Sequence, residues 1–172
     1  GQFITEMKKI ISNNIRIRNK KFFKVGNGSI VDDFSYFSTK IKIGNFSHLA
    51  ANCHVGGGSK YDFEVGDFCS ISSGVKIWCE SNDYINDLPI VHKELTKLNN
   101  TPIEGDVKIG NFCIIGSNTV VMPNNIIPDG VAIGALSFIP QNFNFKSWFF
   151  NFYRITTQSK NLVFSLGIKF WN

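Results

Sequence analysis

Bulky apolar residues return along this chain every six positions. One run is Val25, Val31, Phe37, Ile43, Leu49 and Val55; a second is Val65, Ile71 and Ile77; a third is Ile109, Ile115, Val121, Ile127, Ile133 and Ile139. Four residues after most of these stands a small or β-branched side chain: Ser29, Ser35, Ser47, Cys53, Ser59, Cys69, Val75, Ser81, Cys113, Thr119, Val131 and Ser137, with Ile41 and Asn125 as departures. Glycine often follows the apolar residue directly, as at Gly26, Gly44, Gly56, Gly66, Gly110, Gly116 and Gly134.

Neither the 3.6-residue period of a helix nor the two-residue period of a long strand produces this pattern. A short strand and a turn every six residues do. Three such strands close a triangular coil, and stacked coils pair their strands in parallel at about 4.8 Å. The pattern therefore predicts an all-β prism with the large and the small position both pointing inward. Ile43-Gly44-Asn45-Phe46-Ser47, Val65-Gly66-Asp67-Phe68-Cys69 and Ile109-Gly110-Asn111-Phe112-Cys113 repeat one coil face and predict three phenylalanines stacked in register. Two insertions interrupt the period, a short one around Lys60 to Glu64 and a long one from roughly Asp83 to Asp106.

A single domain, 1–172, is expected, with a cap at 1–24, the prism at 25–140 carrying loop 83–106, and a C-terminal segment at 141–172. Phe3, Met7, Ile10 and Ile11 predict a short amphipathic helix from Phe3 to Asn13, placed to cap the open end of the prism. After Pro140 the chain turns aromatic: Phe143, Phe145, Trp148, Phe149, Phe150, Phe152 and Tyr153 are interleaved with Lys146 and Arg154. Such a segment suits packing along the prism or a neighbouring subunit, and its aromatic-plus-basic makeup also suits peripheral contact with an anionic membrane face.

A chain that is 43% hydrophobic and 18% charged excludes wholesale disorder. A formal charge of +5 and a pI near 9.0 are compatible with an anionic ligand without choosing one, so nucleic-acid binding rests on charge alone and is not expected. Cys53, Cys69, Cys79 and Cys113 form no CxxC pair and no cluster with zinc spacing. They read as reduced structural thiols of a cytoplasmic protein, an expectation supported by the lack of a signal-peptide layout and of any run of about 18 apolar residues.

The hexapeptide period resembles that of the hexapeptide-repeat acyltransferases from about Val25 to Pro140. Further motifs resemble the sugar O- and N-acetyltransferases of surface-polysaccharide biosynthesis: Ser81-Asn82-Asp83-Tyr84 opening the long loop, His48-Leu49-Ala50-Ala51, Ile115-Gly116-Ser117-Asn118-Thr119-Val120-Val121, and Ile133-Gly134-Ala135-Leu136-Ser137. The resemblance implies a left-handed parallel β-helix and a homotrimer. It also implies acetyl-CoA as co-substrate in the groove between subunits, and a sugar or nucleotide-sugar acceptor held under the protruding loop at Asn82 and Tyr84. No metal is implied.

Such enzymes use a histidine as general base on the attacking hydroxyl or amine, with backbone N–H groups stabilising the oxyanion. Many relatives carry that histidine at the start of the long loop, where this chain has Asn82 and Asp83. The resemblance then leaves His48, or His54 one hexad later, as the base, with Asp83 orienting a histidine or binding the acceptor amine; His92 reads as a loop residue. Gly116, Ser117, Ala135 and Ser137 fall where the superfamily's pantetheine arm runs. Lys160 stands in the stretch comparable to the family's closing Gly-x-Pro-Ala-Lys motif.

Two other functions fit the same prism. A γ-class carbonic anhydrase needs three zinc-binding histidines, two of them five apart, whereas His48 and His54 are six apart. A non-catalytic structural prism accounts for the absent loop histidine but leaves a long loop without a purpose.

Overall fold

The computed structural model describes residues 7–82 and 102–145, and the strand pairing of residues 152–154 and 164–165. Apart from one 3-10 turn at Lys20–Phe22, regular structure among the described residues is all strand. The strands stack into the three faces of a parallel β-solenoid matching a left-handed β-helix. The first face carries Ile10–Ile11, Ile30–Val31, His48–Leu49, Ser70–Ile71, Ile114–Ile115 and Ala132–Ile133, continued by Phe152–Arg154 with Phe164–Ser165 antiparallel to it. The second carries Arg16–Ile17, Tyr36–Phe37, His54–Gly56, Lys76–Trp78, Val120–Val121 and Phe138–Ile139. The third carries Phe23–Val25, Lys40–Ile43, Asp62–Val65, Val107–Ile109 and Asn125–Ile127.

Each coil satisfies its backbone through the next. His48 N donates to Cys69 O at 2.8 Å, and Ser70 N to Cys113 O at 2.9 Å. The ladder continues without a sheet edge until the ends of the prism. Of the fifteen apolar repeat positions, all except Val25 are exposed by 4% or less. The three phenylalanines stack as expected: Phe46 and Phe68 have ring centroids 5.2 Å apart, and Phe68 and Phe112 lie 5.3 Å apart with an interplanar angle of 2°.

Two of the expected small inward positions are elsewhere. Ser59 is exposed and Ser81 half-buried; Phe63 and Val107, both fully buried, point inward in their place. Both stand two residues before the next apolar repeat, Val65 and Ile109. The inward partner is set by the strand it belongs to, so an insertion moves it downstream with that strand. The departures Ile41 and Asn125 also face inward, at 2% and 1% exposure. Asn125 is tolerated there because its amide donates to Met122 O at 2.8 Å and Pro140 O at 2.9 Å, while its oxygen accepts from Phe143 N at 2.9 Å.

The helix expected from Phe3 to Asn13 is replaced, over its described part, by the strand Ile10–Ile11, which pairs in parallel with Ile30–Val31. Ile11 and Ile17 already follow the six-residue step, and their partners Val31 and Phe37 are repeat positions. An open coil beneath them offers unpaired N–H and C=O groups, and pairing with those outweighs the helical spacing of four apolar residues.

Both insertions leave the prism at the turn between the second and third faces. The short one occupies residues 57–61, a few positions earlier than the sequence period suggests, because Asp62–Val65 is already strand. The long one departs as Glu80–Asn82 and returns as Pro102–Glu104, paired antiparallel as a two-stranded ribbon. Asp83, Tyr84, His92, Lys146, Trp148, Phe149, Phe150 and Lys160 lie outside the described residues. Phe143 and Phe145 meet edge to face at 4.7 Å, and Phe145 is 7% exposed.

Candidate functional site

The ribbon and the short insertion rise side by side, and a cleft of ≈ 370 Å³ opens at their foot, lined by Gly57, Gly58, Trp78, Glu80, Ser81 and Asn82. Of three successive glycines, the first two make the close approach possible. A Cβ on Gly56 would fall 2.7 Å from the Trp78 ring, and one on Gly57 2.7 Å from Cys79 Cβ; Gly58, at φ +64°, leaves only Glu80 Oε2 nearby, 3.8 Å from its Cβ position. Glu80 and Glu104 are direct partners across the ribbon. Lys60 Nζ binds Glu104 Oε1 at 2.8 Å and lies 4.8 Å from the centre of the Tyr61 ring. This contact ties the short insertion to the returning strand. The Glu104 carboxylate holds the Lys60 ammonium above the usual lysine range, and Lys60 in turn holds Glu104 below the usual carboxylate range.

His54, on the second face, packs against Trp78, which lines this cleft. Its ring lies between Tyr36 and Trp78, with centroids 4.9 Å away on each side. Burial, and secondarily the Lys76 charge on the adjacent coil, lower its pKa from 6.5. The imidazole is therefore uncharged near neutral pH.

His48 is on the first face, one hexad earlier. Its Nε2 is 2.7 Å from Asp32 Oδ2, and both side chains are 43% exposed. The carboxylate fixes the ring and leaves Nδ1 as the nitrogen able to meet a ligand. Asn82 closes the outgoing strand of the ribbon and lines the cleft with Trp78 and Glu80.

Gly116 and Ala135 meet on adjacent coils: a Cβ on Gly116 would fall 2.3 Å from Ala135 N. Ser117 O accepts from Leu136 N at 2.9 Å. Ser137 points inward, 2% exposed, its hydroxyl donating to Gly134 O at 2.7 Å. At this corner the prism offers main chain and small side chains to the outside, and the Ser137 hydroxyl stays in the core.

The sequence reading missed Gly57, Gly58, Trp78 and Glu80. The signal was the glycine triplet 56–58, which matches Trp78, Cys79 and Glu80 of the next coil residue for residue. The six-residue step alone gives no reason to align the two stretches.

No protein-family model matches the chain. A dTDP-4-amino-4,6-dideoxy-D-glucose acyltransferase of Escherichia coli is 33% identical over 147 residues, covering 78% of this chain and 73% of that protein. Among solved structures, AntD, an N-acyltransferase from Bacillus cereus in complex with dTDP and 3-hydroxybutyryl-CoA, superimposes with a TM-score of 0.69 at 28% identity, covering 79% of this chain and 74% of that one. A mutant of AntD in complex with dTDP and coenzyme A superimposes with a TM-score of 0.77 at 27% identity, covering 91% and 80%. With the period, the prism and these relatives in agreement, the chain belongs to the hexapeptide-repeat acyltransferases, in the company of sugar acyltransferases.

Proposed function

We propose that this chain transfers an acyl group from an acyl-CoA, acetyl-CoA in the simplest case, to an amine or hydroxyl of a nucleotide-linked sugar, acting as a homotrimer. The observation that carries this reading is the cleft at the foot of the ribbon, walled by Trp78, Glu80 and Asn82, with the uncharged His54 ring packed against Trp78. The prism around it is of the same kind as in proteins named for N-acylation and solved with coenzyme A and dTDP.

The acceptor nucleophile attacks the thioester carbonyl, the C–S bond breaks, and CoA leaves as the thiol. A base is needed to take the acceptor proton. His54 suits this role because its ring packs against the cleft-lining Trp78 and is neutral. His48, oriented by Asp32, serves if the acceptor lies along the first face instead. Asp83 follows directly on the cleft-lining Asn82 in sequence and, with Tyr84 after it, is a further candidate to meet the acceptor sugar. The main chain and small side chains around Ser117 and Ala135 are offered to the pantetheine arm, and Lys160 to a phosphate. No described helix is long and apolar enough to cross a membrane.

The test supplies the purified protein with acetyl-CoA or 3-hydroxybutyryl-CoA and with dTDP-4-amino-4,6-dideoxyglucose. Thiol release and the mass of the sugar product are followed, with light scattering to count subunits. A product heavier by one acyl group supports the reading, and substitution of His54 or His48 identifies the base. A well-folded trimer that neither binds acyl-CoA nor releases thiol indicates a structural prism instead.

A further inference from the structure

Across the ribbon the chain sets two glutamates face to face, Glu80 opposite Glu104. Like charges directly opposite on paired strands are destabilising. Among the described residues only one of them is compensated: Glu104 has Lys60 at 2.8 Å, with Tyr61 beside them. The Glu80 side chain has no hydrogen-bond or ion-pair partner among the described residues, and it lines the cleft beside Gly58, together with Trp78 and Asn82. A positive group would fit where the cleft meets this carboxylate. The Trp78 ring beside it offers an apolar wall for the C–H face of a sugar, and the Asn82 amide supplies a donor and an acceptor.

We propose that Glu80 is a specificity-determining residue that selects an amino sugar over the corresponding hydroxyl sugar. This inference rests on the acyl-transfer reading above and deepens it. When an amine attacks a thioester, its nitrogen carries positive charge in the tetrahedral intermediate until its proton leaves. A nearby carboxylate stabilises that charge as well as the ammonium of the incoming acceptor. An attacking hydroxyl gives up its proton as it adds and offers the carboxylate no lasting positive charge. An acceptor that binds as its ammonium first gives one proton to solvent. The balance is then amine plus acyl thioester giving amide plus CoA thiol: the C–N bond forms, the C–S bond breaks, and the nitrogen's proton passes by way of the base to the thiol. Glu80 takes no part in that proton transfer.

The test measures binding and turnover in the same samples. The full-length protein is titrated with dTDP-4-amino-4,6-dideoxyglucose and with its 4-hydroxyl counterpart, alongside coenzyme A, for wild type, Glu80→Gln and Glu104→Gln. Wild type is expected to bind the amino sugar at least about tenfold more tightly than the hydroxyl sugar. Glu80→Gln is expected to erase that preference, with hydroxyl-sugar affinity, coenzyme A affinity and thermal midpoint unchanged. Glu104→Gln, which removes a charge already paired with Lys60, is expected to keep the preference. An amino-sugar preference that survives in Glu80→Gln overturns the assignment, as does an equal loss in Glu104→Gln, which would reduce the effect to general charge. Intact coenzyme A binding and thiol release in those samples would leave the acyl-transfer reading standing.

Discussion

The rings of Phe68 and Phe112 lie parallel to within 2°, their centroids 5.3 Å apart, although the whole protruding excursion separates them in sequence. Both residues, like Phe46, have positive φ, between 54° and 58°. A side chain in the left-handed region costs about 1–2 kcal/mol. The rings repay part of that cost, because each aromatic pair contributes about 0.5–1.5 kcal/mol beyond its buried area. Phe68 stacks on both neighbours.

Phe68→Ala keeps the backbone strain and loses both stacking contacts; Phe68→Gly loses the contacts and relieves the strain. The expected order of stability in urea unfolding is wild type, then Phe68→Gly, then Phe68→Ala, with the two variants separated by about 1 kcal/mol. This reverses the usual advantage of alanine over glycine. An alanine variant as stable as the glycine variant would show that the turn is not strained.

Much of the prism was legible because one spacing rule governs it. Val31, Leu49, Ile71, Ile115 and Ile133 are read from sequence and found at the centre of one face, each at 2% exposure or less. The rule lost its hold where the chain leaves the prism. It assigned Ser59 and Ser81 inward, where Phe63 and Val107 are found, and it had no means of pairing Glu80 with Glu104. Those contacts depend on where each insertion rejoins the stack. Of the candidate site residues, His48, His54 and Asn82 could be named from motifs. Trp78 and Glu80 could not, since their place depends on the register between Gly56 and Trp78.

Gly116 separates two reasons for glycine. Its φ is not positive, so a side chain is acceptable to its own backbone, but an added Cβ would lie 2.3 Å from Ala135 N. Main chain cannot swing aside as a side chain does. Gly58 is the reverse case, with φ +64° and nothing closer than 3.8 Å. Gly116→Ala is expected to destabilise by about 3 kcal/mol through overpacking, and Gly58→Ala by about 1 kcal/mol through backbone strain. Denaturant midpoints at unchanged m-value measure both, and equal losses would contradict the distinction.

All four cysteines are buried, at 3% exposure or less. Burial pushes the Cys53 thiol up to about 11 and the Cys79 thiol up to about 12. The thiolate is the reactive form, so these two are protected by protonation as well as by access. Cys69 differs: hydrogen bonding from Cys113, whose backbone N–H donates to the Cys69 sulfur at 3.4 Å, lowers its thiol below the usual cysteine range. A thiol-specific disulfide reagent near pH 8 is expected to leave the native protein unmodified and to label four thiols in denaturant. Where native labelling does occur on prolonged exposure, mass spectrometry should find it at Cys69 first; labelling led by Cys53 or Cys79 would contradict this order.

His54 links the aromatic stack to pH. Its folded pKa is depressed from 6.5, chiefly by burial and then by Lys76. The folded state therefore binds this proton less readily than the unfolded chain. The histidine's contribution to stability is fully present above about pH 6.5 and is lost as the pH falls through the lower folded value. Unfolding at about pH 7 and about pH 5 should show a larger acid loss for wild type than for His54→Gln, which has no proton to take up. NMR titration of the ring provides the direct measurement. Because burial is the larger cause, Trp78→Ala, which strips one side of the ring, should raise the midpoint toward 6.5 more than Lys76→Ala does. If His54 is also the base, the acidic limb of kcat/KM moves up with the same variant. A midpoint already at or above 6.5 in wild type would mean that the ring is solvated, and the stack between Tyr36 and Trp78 would then have no bearing on its charge.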